Sequence, residues 1–369
     1  MTSRIDVAVN LTWMAPDRVG GSEQYLTRQL LGLDASTFDL SIHCDARFGA
    51  AHPLLAERSR ISAMPGRVNS RGARVILEHT WLAATTRHAD VVHHGGGTAP
   101  LVGARPILLT IHDLQYLVHP EYFSMPRRRY LAAMMPRSVM RAAVVAVPTE
   151  FVRAHVIQAF GVAADRVVVV PHGVPAAAPP TEQRIGDVRD RHGLGDRPYV
   201  VYPAITHPHK RQALLVDMLD HLDDDTALVL IGGEGVAEPG VSASISRSPH
   251  AGRVRRTGRV SEPDRDALLA GADALVFPSE FEGFGAPLIE SMMFDTPVVC
   301  SDAPAVVEVV ADAAVIVEEP TGEAWAKGVD SARSRRTELV ERGGVRREQF
   351  TISRSGAALA KAYRQAIAS

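Results

Sequence analysis

The sequence predicts an α/β protein made of two Rossmann-like domains, each built on a parallel sheet. Three observations carry this. Short runs rich in valine and isoleucine alternate with longer helical patterns, the signature of parallel strands joined by helical crossovers. The same grammar runs on either side of a stiff stretch, Pro-Ala-Ala-Ala-Pro-Pro at residues 175–180, which reads as a linker. The chain has 369 residues, more than twice the ~150 of one ordinary domain.

In order, residues 5–9 read as the first strand, followed by a glycine turn at Gly20 and Gly21 and a helix through Tyr25, Leu26, Leu30 and Leu31. Later strand runs lie at 91–92, 107–111, 144–147 and 167–170, then beyond the linker at 199–202, 227–231, 274–277, 297–300 and 314–317. An alanine-rich helix closes the chain at about 354–367. The first-half runs end in His, Gly or Pro, so polar groups collect at the carboxyl ends of strands, where open α/β sheets bind ligands. The expected binding place is a central cleft faced by both domains.

Composition narrows the function. The chain is 46% hydrophobic and 22% charged, ordinary for a globular protein with two cores. Forty Lys and Arg against 42 Asp and Glu leave a net charge of −2, which argues against a nucleic-acid partner. Cys44 and Cys300 are too few for a disulfide framework and suit a reducing compartment. No apolar run reaches the ~18 residues of a membrane span, and the start of the chain lacks the apolar core of a signal peptide. The expected location is the cytoplasm, with peripheral contact at the inner face of the membrane as a further reading. No Gly-x-Gly-x-x-Gly follows the first strand: Gly20-Gly21, Gly95-Gly96-Gly97 and Gly232-Gly233-Glu234-Gly235 all miss that spacing, and a P-loop is absent.

The chemistry concentrates in residues 277–290, Phe-Pro-Ser-Glu-Phe-Glu-Gly-Phe-Gly-Ala-Pro-Leu-Ile-Glu. Gly283, Gly285 and Pro287 delay a helix until Pro287, a favoured first helical residue. Backbone N–H groups around Phe284 and Gly285 are thereby left at the positive end of a helix, an anion site. Glu282 falls in the loop and Glu290 in the first turn of the helix. Either acid alone fits a solvated loop or a helix cap. Together with two glycines and two aromatics they suit a ligand with hydroxyls at both ends and a diphosphate between, as in a nucleotide sugar.

Here the sequence resembles glycosyltransferase family 4, whose members are retaining enzymes of the two-domain GT-B architecture. The resemblance rests on Glu282-x7-Glu290 within Glu-Gly-Phe-Gly-x-Pro-x-x-Glu. It extends to Thr110-Ile-His-Asp-Leu, to Val168-Val-Val-Pro-His-Gly-Val before the linker, to Leu230-Ile-Gly-Gly and to Gly258-Arg-Val. The runs from His112 and from His119 further resemble a mannosyltransferase-rich subgroup, in which GDP-mannose is a frequent donor. The resemblance implies an acceptor domain over 1–175, with the last helix, 351–369, crossing back onto it, and a nucleotide-sugar domain over 176–350.

It also implies roles. Glu282 would bind donor-sugar hydroxyls and Glu290 the ribose diol, while Phe284 and Gly285 present main-chain N–H groups to sugar and phosphate. Gly20 and Gly21 would admit the diphosphate, Gly232 would form a nucleotide-binding turn, and Val260 would face the base. Lys210 takes the place of the family's phosphate lysine; the arginine that many members carry five residues earlier is Ile205 here, and Arg211 is a weak substitute. His112 would contact the donor sugar and reacting centre, with Asp113 orienting it or capping the next turn.

The implied reaction is a hexosyl transfer, best read as mannosyl, from a nucleotide sugar to a hydroxyl of a glycan, glycolipid or small molecule. The diphosphate departs from the face the acceptor attacks. A sugar-nucleotide epimerase of the same architecture, or a silent sugar-nucleotide binder, are the alternatives. No cofactor or metal is expected, because His93-His94 and His207-x-His209 lack a third ligand at metal spacing. Two basic stretches remain, one with Arg67, Arg71, Arg74 and Arg87 around Val75, Ile76, Leu77, Trp81 and Leu82. The other has Arg127, Arg128, Arg129, Arg137 and Arg141 among Met134, Met135 and Met140. They read as solvated helix faces, or as docking surface for an anionic or lipid-linked acceptor.

Overall fold

A computed structural model of the protein describes residues 4–14, 20–66, 68, 70–176 and 178–369. Arg67, the side chain of Arg71 and residue 177 of the linker stretch lie outside the described residues. The chain forms two compact units, Met1–Pro175 with Phe350–Ser369, and Ala176–Gln349.

The first unit holds seven parallel strands: β1 (Ile5–Asn10), β2 (Phe38–Cys44), β3 (Ser59–Ala63), β4 (Val91–His94), β5 (Ile107–Thr110), β6 (Val144–Val147) and β7 (Val167–Val169). Their order is β3-β2-β1-β4-β5-β6-β7, so the direction of winding reverses between β1 and β4. Strand periodicity divides the core. Leu108, Val144 and Ala146 point into one cluster with Val7, Val9, Leu26 and Leu30, whereas Ile107, Leu109, Val145 and Val147 join Val139, Val152 and Val156 in another. Both faces are therefore apolar, as helix-covered parallel strands require.

The second unit holds β8 (Tyr199–Pro203), β9 (Ala227–Ile231), β10 (Val254–Gly258), β11 (Ala274–Phe277), β12 (Val298–Ser301) and β13 (Val315–Val317), again all parallel. The order β10-β9-β8-β11-β12-β13 reverses between β8 and β11. The sequence runs match these strands closely, but β2 and the edge strands β3 and β10 carry no such run. β3 contains Arg60, and β10 carries Arg255 and Arg256, so neither reads as a hydrophobic run. Charge on an edge strand discourages pairing with another chain.

The last helix, Ile352–Ala368, belongs to the first unit. It buries Leu359, Ala362, Tyr363 and Ala366 in the cluster that holds Val7, Tyr25 and Leu30. The Thr351 hydroxyl accepts the Arg354 N–H at its start, and Ser355 Oγ donates to the Pro171 carbonyl at 2.5 Å. Its closest approach is to the helix Gly21–Leu31: a Cβ on Gly356 would lie 2.1 Å from the backbone of Gly32. No side chain fits there, and neither neighbour is flexible.

Gly356→Ala is accordingly expected to destabilise the first unit by at least about 2 kcal/mol, the scale of overpacking against an unyielding neighbour. Gly344→Ala is the control. Gly344 lies in the helix Arg336–Arg347, and its Cβ would meet nothing within 4 Å. Urea denaturation of both variants checks this; a Gly356→Ala midpoint equal to wild type would contradict the packing.

Candidate functional site

In the second unit the chemistry gathers at the carboxyl ends of β8 and β11, the strands flanking the reversal of order. β8 runs into a short turn, Pro208–Lys210, and β11 into the loop 278–285. Gly285 ends that loop with φ +90°, and a Cβ there would lie 2.8 Å from Leu288 Cδ1, so glycine is required on both counts. The helix Ala286–Met293 follows. It starts one residue before Pro287, because proline is tolerated throughout the first turn, where no intrahelical bond needs its N–H. Glu290 is thus the fifth helical residue and lies in the second turn, not the first as expected from sequence.

Glu290 is 4% exposed, with Oε2 3.9 Å from Nη1 of Arg265. Arg265 comes from the helix Glu262–Ala270 and also holds Asp266 at 2.8 Å. The sequence reading missed this buried guanidinium, since nothing local marks an arginine on a separate helix as the partner of a given acid. It changes the physics of Glu290, which stays charged by facing a fixed cation rather than by sitting near a helix terminus.

Lys210 donates through Nζ to Oε1 of Glu282, and the two side chains are only 19% and 13% exposed. The ammonium also stands 5.7 Å from the centre of the Phe277 ring. Next to it Arg211 donates to Glu280, so it is not available as a second phosphate cation. The Tyr202 hydroxyl lies 2.7 Å from Ser279 Oγ. Burial, reinforced by the charge of Glu282, holds the pKa of Tyr202 well above the usual phenol range. Phe281 and Phe284 are buried anchors of the loop. Gly232 follows β9 with φ +136°, its would-be Cβ 2.4 Å from the Ala204 carbonyl, which lays this turn against the segment after β8. Val260, half-buried, lies just past β10.

In the first unit His112 sits two residues beyond β5. Its Nε2–H donates to the Gly95 carbonyl at 2.9 Å, and its ring meets Tyr25 and Trp13 edge-on at 5.3 and 6.1 Å. Burial pulls its pKa below 6.5, so the ring is neutral at pH 7 and Nδ1 is the acceptor nitrogen. Asp113 does not touch the ring in this arrangement; its Oδ1 accepts the Gln115 N–H and caps the turn Gln115–Val118. Gly20 precedes the helix Gly21–Leu31, and a Cβ on Gly20 or Gly21 would meet nothing within 4 Å. The protein's own packing therefore makes no demand for glycine at either position.

The winding reversal of this sheet brings together residues the sequence did not single out. Asn10 Nδ2 donates to His94 Nδ1 at 3.1 Å, Thr12 donates to Asn10, and the Thr12 hydroxyl also lies 2.6 Å from Glu78. His93 is occupied too, with Nδ1 2.8 Å from the Tyr363 hydroxyl and Nε2 2.8 Å from Thr110 Oγ1. Among the described residues no group of three or more His, Cys, Asp or Glu is arranged to hold a metal.

Comparison with known proteins agrees with this architecture. Residues 186–344 match the glycosyl transferases group 1, and residues 19–178 match glycosyltransferase family 4. The chain belongs to the family 4 glycosyltransferases. It is 28% identical over 236 residues to O-antigen chain mannosyltransferase B of Escherichia coli, covering 63% of this chain and 62% of that protein, less than two thirds of its length. It is also 28% identical over 324 residues to a GDP-mannose-dependent alpha-(1-6)-phosphatidylinositol monomannoside mannosyltransferase of Mycolicibacterium smegmatis, covering 80% and 81% of the two chains. The crystal structure of Anabaena HepE in complex with UDP and glucose shares the fold, with TM-score 0.78 and 19% identity over 97% of this chain and 99% of that one.

The basic stretches of this glycosyltransferase are helical. Arg74 pairs with Glu78, and the helix Met125–Arg141 exposes Arg127, Arg128, Arg129 and Arg137 beside Met125 and Met140 while burying Met135 and Val139. No described helix is long and apolar enough to cross a membrane.

The buried histidines of the first unit set a pH dependence. Burial depresses His93 and His94 to about 3 and His43 to about 4, and lowers His112 and His172. Unfolded, each titrates near 6.5, so between about 6.5 and 3 the unfolded chain binds more protons than the folded one. Stability is full above 6.5 and falls with pH through that window. At pH 5, His93 and His94 each withdraw about 2 kcal/mol. The urea midpoint of the first unit, followed by fluorescence of Trp13 and Trp81, should drop between pH 7.5 and 5. A constant midpoint would mean these rings are not held neutral.

Proposed function

We propose that this protein transfers a hexose, with retention, from a nucleoside-diphosphate sugar to an acceptor hydroxyl of a glycan, glycolipid or small molecule. Membership of family 4 supports sugar transfer as the reaction class. The observation that carries the reading is the Lys210–Glu282 ion pair beside the N-terminus of the helix Ala286–Met293, at the strand ends where the six-stranded sheet reverses its winding. Ligands of open α/β sheets bind at such switch points.

In this reading the second unit, 176–350, takes the nucleotide sugar and the first, 1–175 with 351–369, the acceptor. The diphosphate competes with Glu282 for the Lys210 ammonium. Once Lys210 turns to phosphate, Glu282 is released to accept hydrogen bonds from sugar hydroxyls, so one exchange places both ends of the reacting group. The N–H groups of Phe284 and Gly285 add the helix dipole to the phosphate. Glu290, kept ionised beside Arg265, accepts from the ribose diol, Gly232 lines the nucleotide turn, and Val260 faces the base. Gly20 and Gly21 leave room at the first unit's backbone for the diphosphate, and His112 offers Nδ1 to a sugar hydroxyl. Negative charge grows on the departing diphosphate as the glycosidic bond breaks, so Lys210 stabilises the transition state more than the bound donor. With the leaving phosphate taking the acceptor's proton, no protein nucleophile is needed.

Mannose is the proposed sugar and GDP-mannose the proposed donor, supported by the mannosyltransferases among the relatives. A thermal-shift panel of nucleotides and nucleotide sugars tests the donor, since a ligand of the folded state raises the transition by mass action. GDP and GDP-mannose should raise it; a shift with UDP sugars alone would overturn the donor.

Lys210→Ala should lower turnover ~10²-fold or more, the scale of removing one preorganised stabiliser, and weaken nucleotide binding less. Steady-state kinetics beside calorimetry measure both. Collapsed affinity with wild-type turnover at saturation would make Lys210 a ground-state anchor instead. His112→Ala should likewise bind nucleotide and lose most transfer.

A further inference from the structure

Two ion pairs, not one, join the turn after β8 to the loop after β11. Lys210 holds Glu282, and Arg211 holds Glu280, with Nε and Nη2 donating to the same oxygen at 3.0 and 2.6 Å. A backbone bond lies beside them, from the Glu280 N–H to the His209 carbonyl at 2.9 Å. The far end of the turn is fixed as well, by Gln212 Nε2 donating to the Ala204 carbonyl at 3.0 Å. Arg211 makes its contact from a left-handed backbone, φ +46° and ψ +37°, a region that disfavours any side chain with a Cβ. Strain of this kind persists where surrounding contacts over-determine it and is concentrated at functional sites.

The two cations differ in how readily they can change partners. A guanidinium is always charged and holds its acceptor through two nitrogens in a rigid fork, whereas an ammonium is a single point of charge on a flexible stem. This chain uses lysine at 210, 327 and 361 only, and arginine for every other side-chain cation of the Lys/Arg kind. Lysine stands at the position that must let go of one anion to take another, and arginine at the position that must not.

We propose that Arg211 is a positioning residue for Lys210: its pair with Glu280 stays closed while Lys210 exchanges Glu282 for the donor's diphosphate, holding the ammonium at the carboxyl ends of β8 and β11. The inference rests on the transferase reading of this site, and the test below separates the two. Arg211 is 38% exposed at its side chain, and pairs of that kind contribute little to folding. Its removal therefore acts on the placement of Lys210 more than on the fold.

The experiment acylates the full chain with a short N-hydroxysuccinimide ester and follows each lysine by peptide mass spectrometry, with Lys327 and Lys361 as internal references. In Arg211→Gly, which also relieves the left-handed backbone, Lys210 should react several-fold faster relative to those references. Loss of a neighbouring positive charge by itself would raise the lysine's pKa and slow the reaction, so the direction distinguishes displacement from electrostatics. Glu280→Gln should show the same rise, and Arg211→Lys, which keeps the charge but not the fork, an intermediate one. In kinetics with GDP-mannose, Arg211→Gly should lose ~10-fold in kcat, within the range that misplacing a catalytic group costs, with KM changed less and an unaltered melting transition. An unchanged Lys210 labelling ratio in both Arg211→Gly and Glu280→Gln overturns the proposal whatever the activity does. A raised ratio alongside wild-type protein that turns over no nucleotide sugar upholds the positioning role and overturns the transferase reading.

Discussion

The pairing of Lys210 with Glu282 is the contact around which the second unit is arranged. Neither group can be placed there singly at low cost, because each is largely withdrawn from water, and a lone charge so buried is strongly disfavoured. Their proximity requires β8 and β11 to be neighbours, which follows only from the reversal in strand order. It requires Gly285 to turn the chain with a positive φ before the helix Ala286–Met293, and it requires the turn at 207–211 to be fastened at both ends. The aromatic floor of Phe277 and the Tyr202–Ser279 hydrogen bond complete the enclosure. The result is a compensated pair whose cation and anion become separately useful when a ligand offers another anion to one and hydroxyls to the other.

The first unit solves a different problem with the same topology. Its interior accommodates histidines by giving each a specific partner: His93 between Tyr363 and Thr110, His94 on Asn10, and His112 on the Gly95 carbonyl. Each is held neutral by burial, and each bond fixes which nitrogen carries the proton or a narrow choice between the two. The contact between Tyr363 and His93 ties the end of the chain to the centre of a sheet formed some 270 residues earlier. The glycine pair at 32 and 356 allows the last helix to come close enough for that bond to form. The C-terminal helix is thus part of the core of the first unit.

Much of this was legible in order along the chain. Strands with apolar side chains on both faces announced themselves as β-branched runs, and the glycines and proline of 283–287 announced a loop that ends in a helix. The signal failed where tertiary position overrides local pattern. The edge strands β3 and β10 face water and carry arginines, so their composition resembles that of loops. Placing Glu290 in the first turn failed because the helix begins with the residue after a left-handed glycine, and proline fits any position of that turn.

What the sequence determined by itself was local: which segments bury both faces, where the backbone must turn, and which residue types could meet a diphosphate and sugar hydroxyls. Period and composition encode burial and backbone conformation, and these do not depend on distant neighbours. Only the tertiary structure decided partners. Lys210 meets Glu282 across 72 positions, and Arg265 meets Glu290 from another helix, because parallel crossovers bring successive loops to the same end of a sheet. Arg211, read from sequence as a spare cation, is committed to Glu280 for the same reason. An ion pair is a property of two positions in space, and no single stretch of chain contains it.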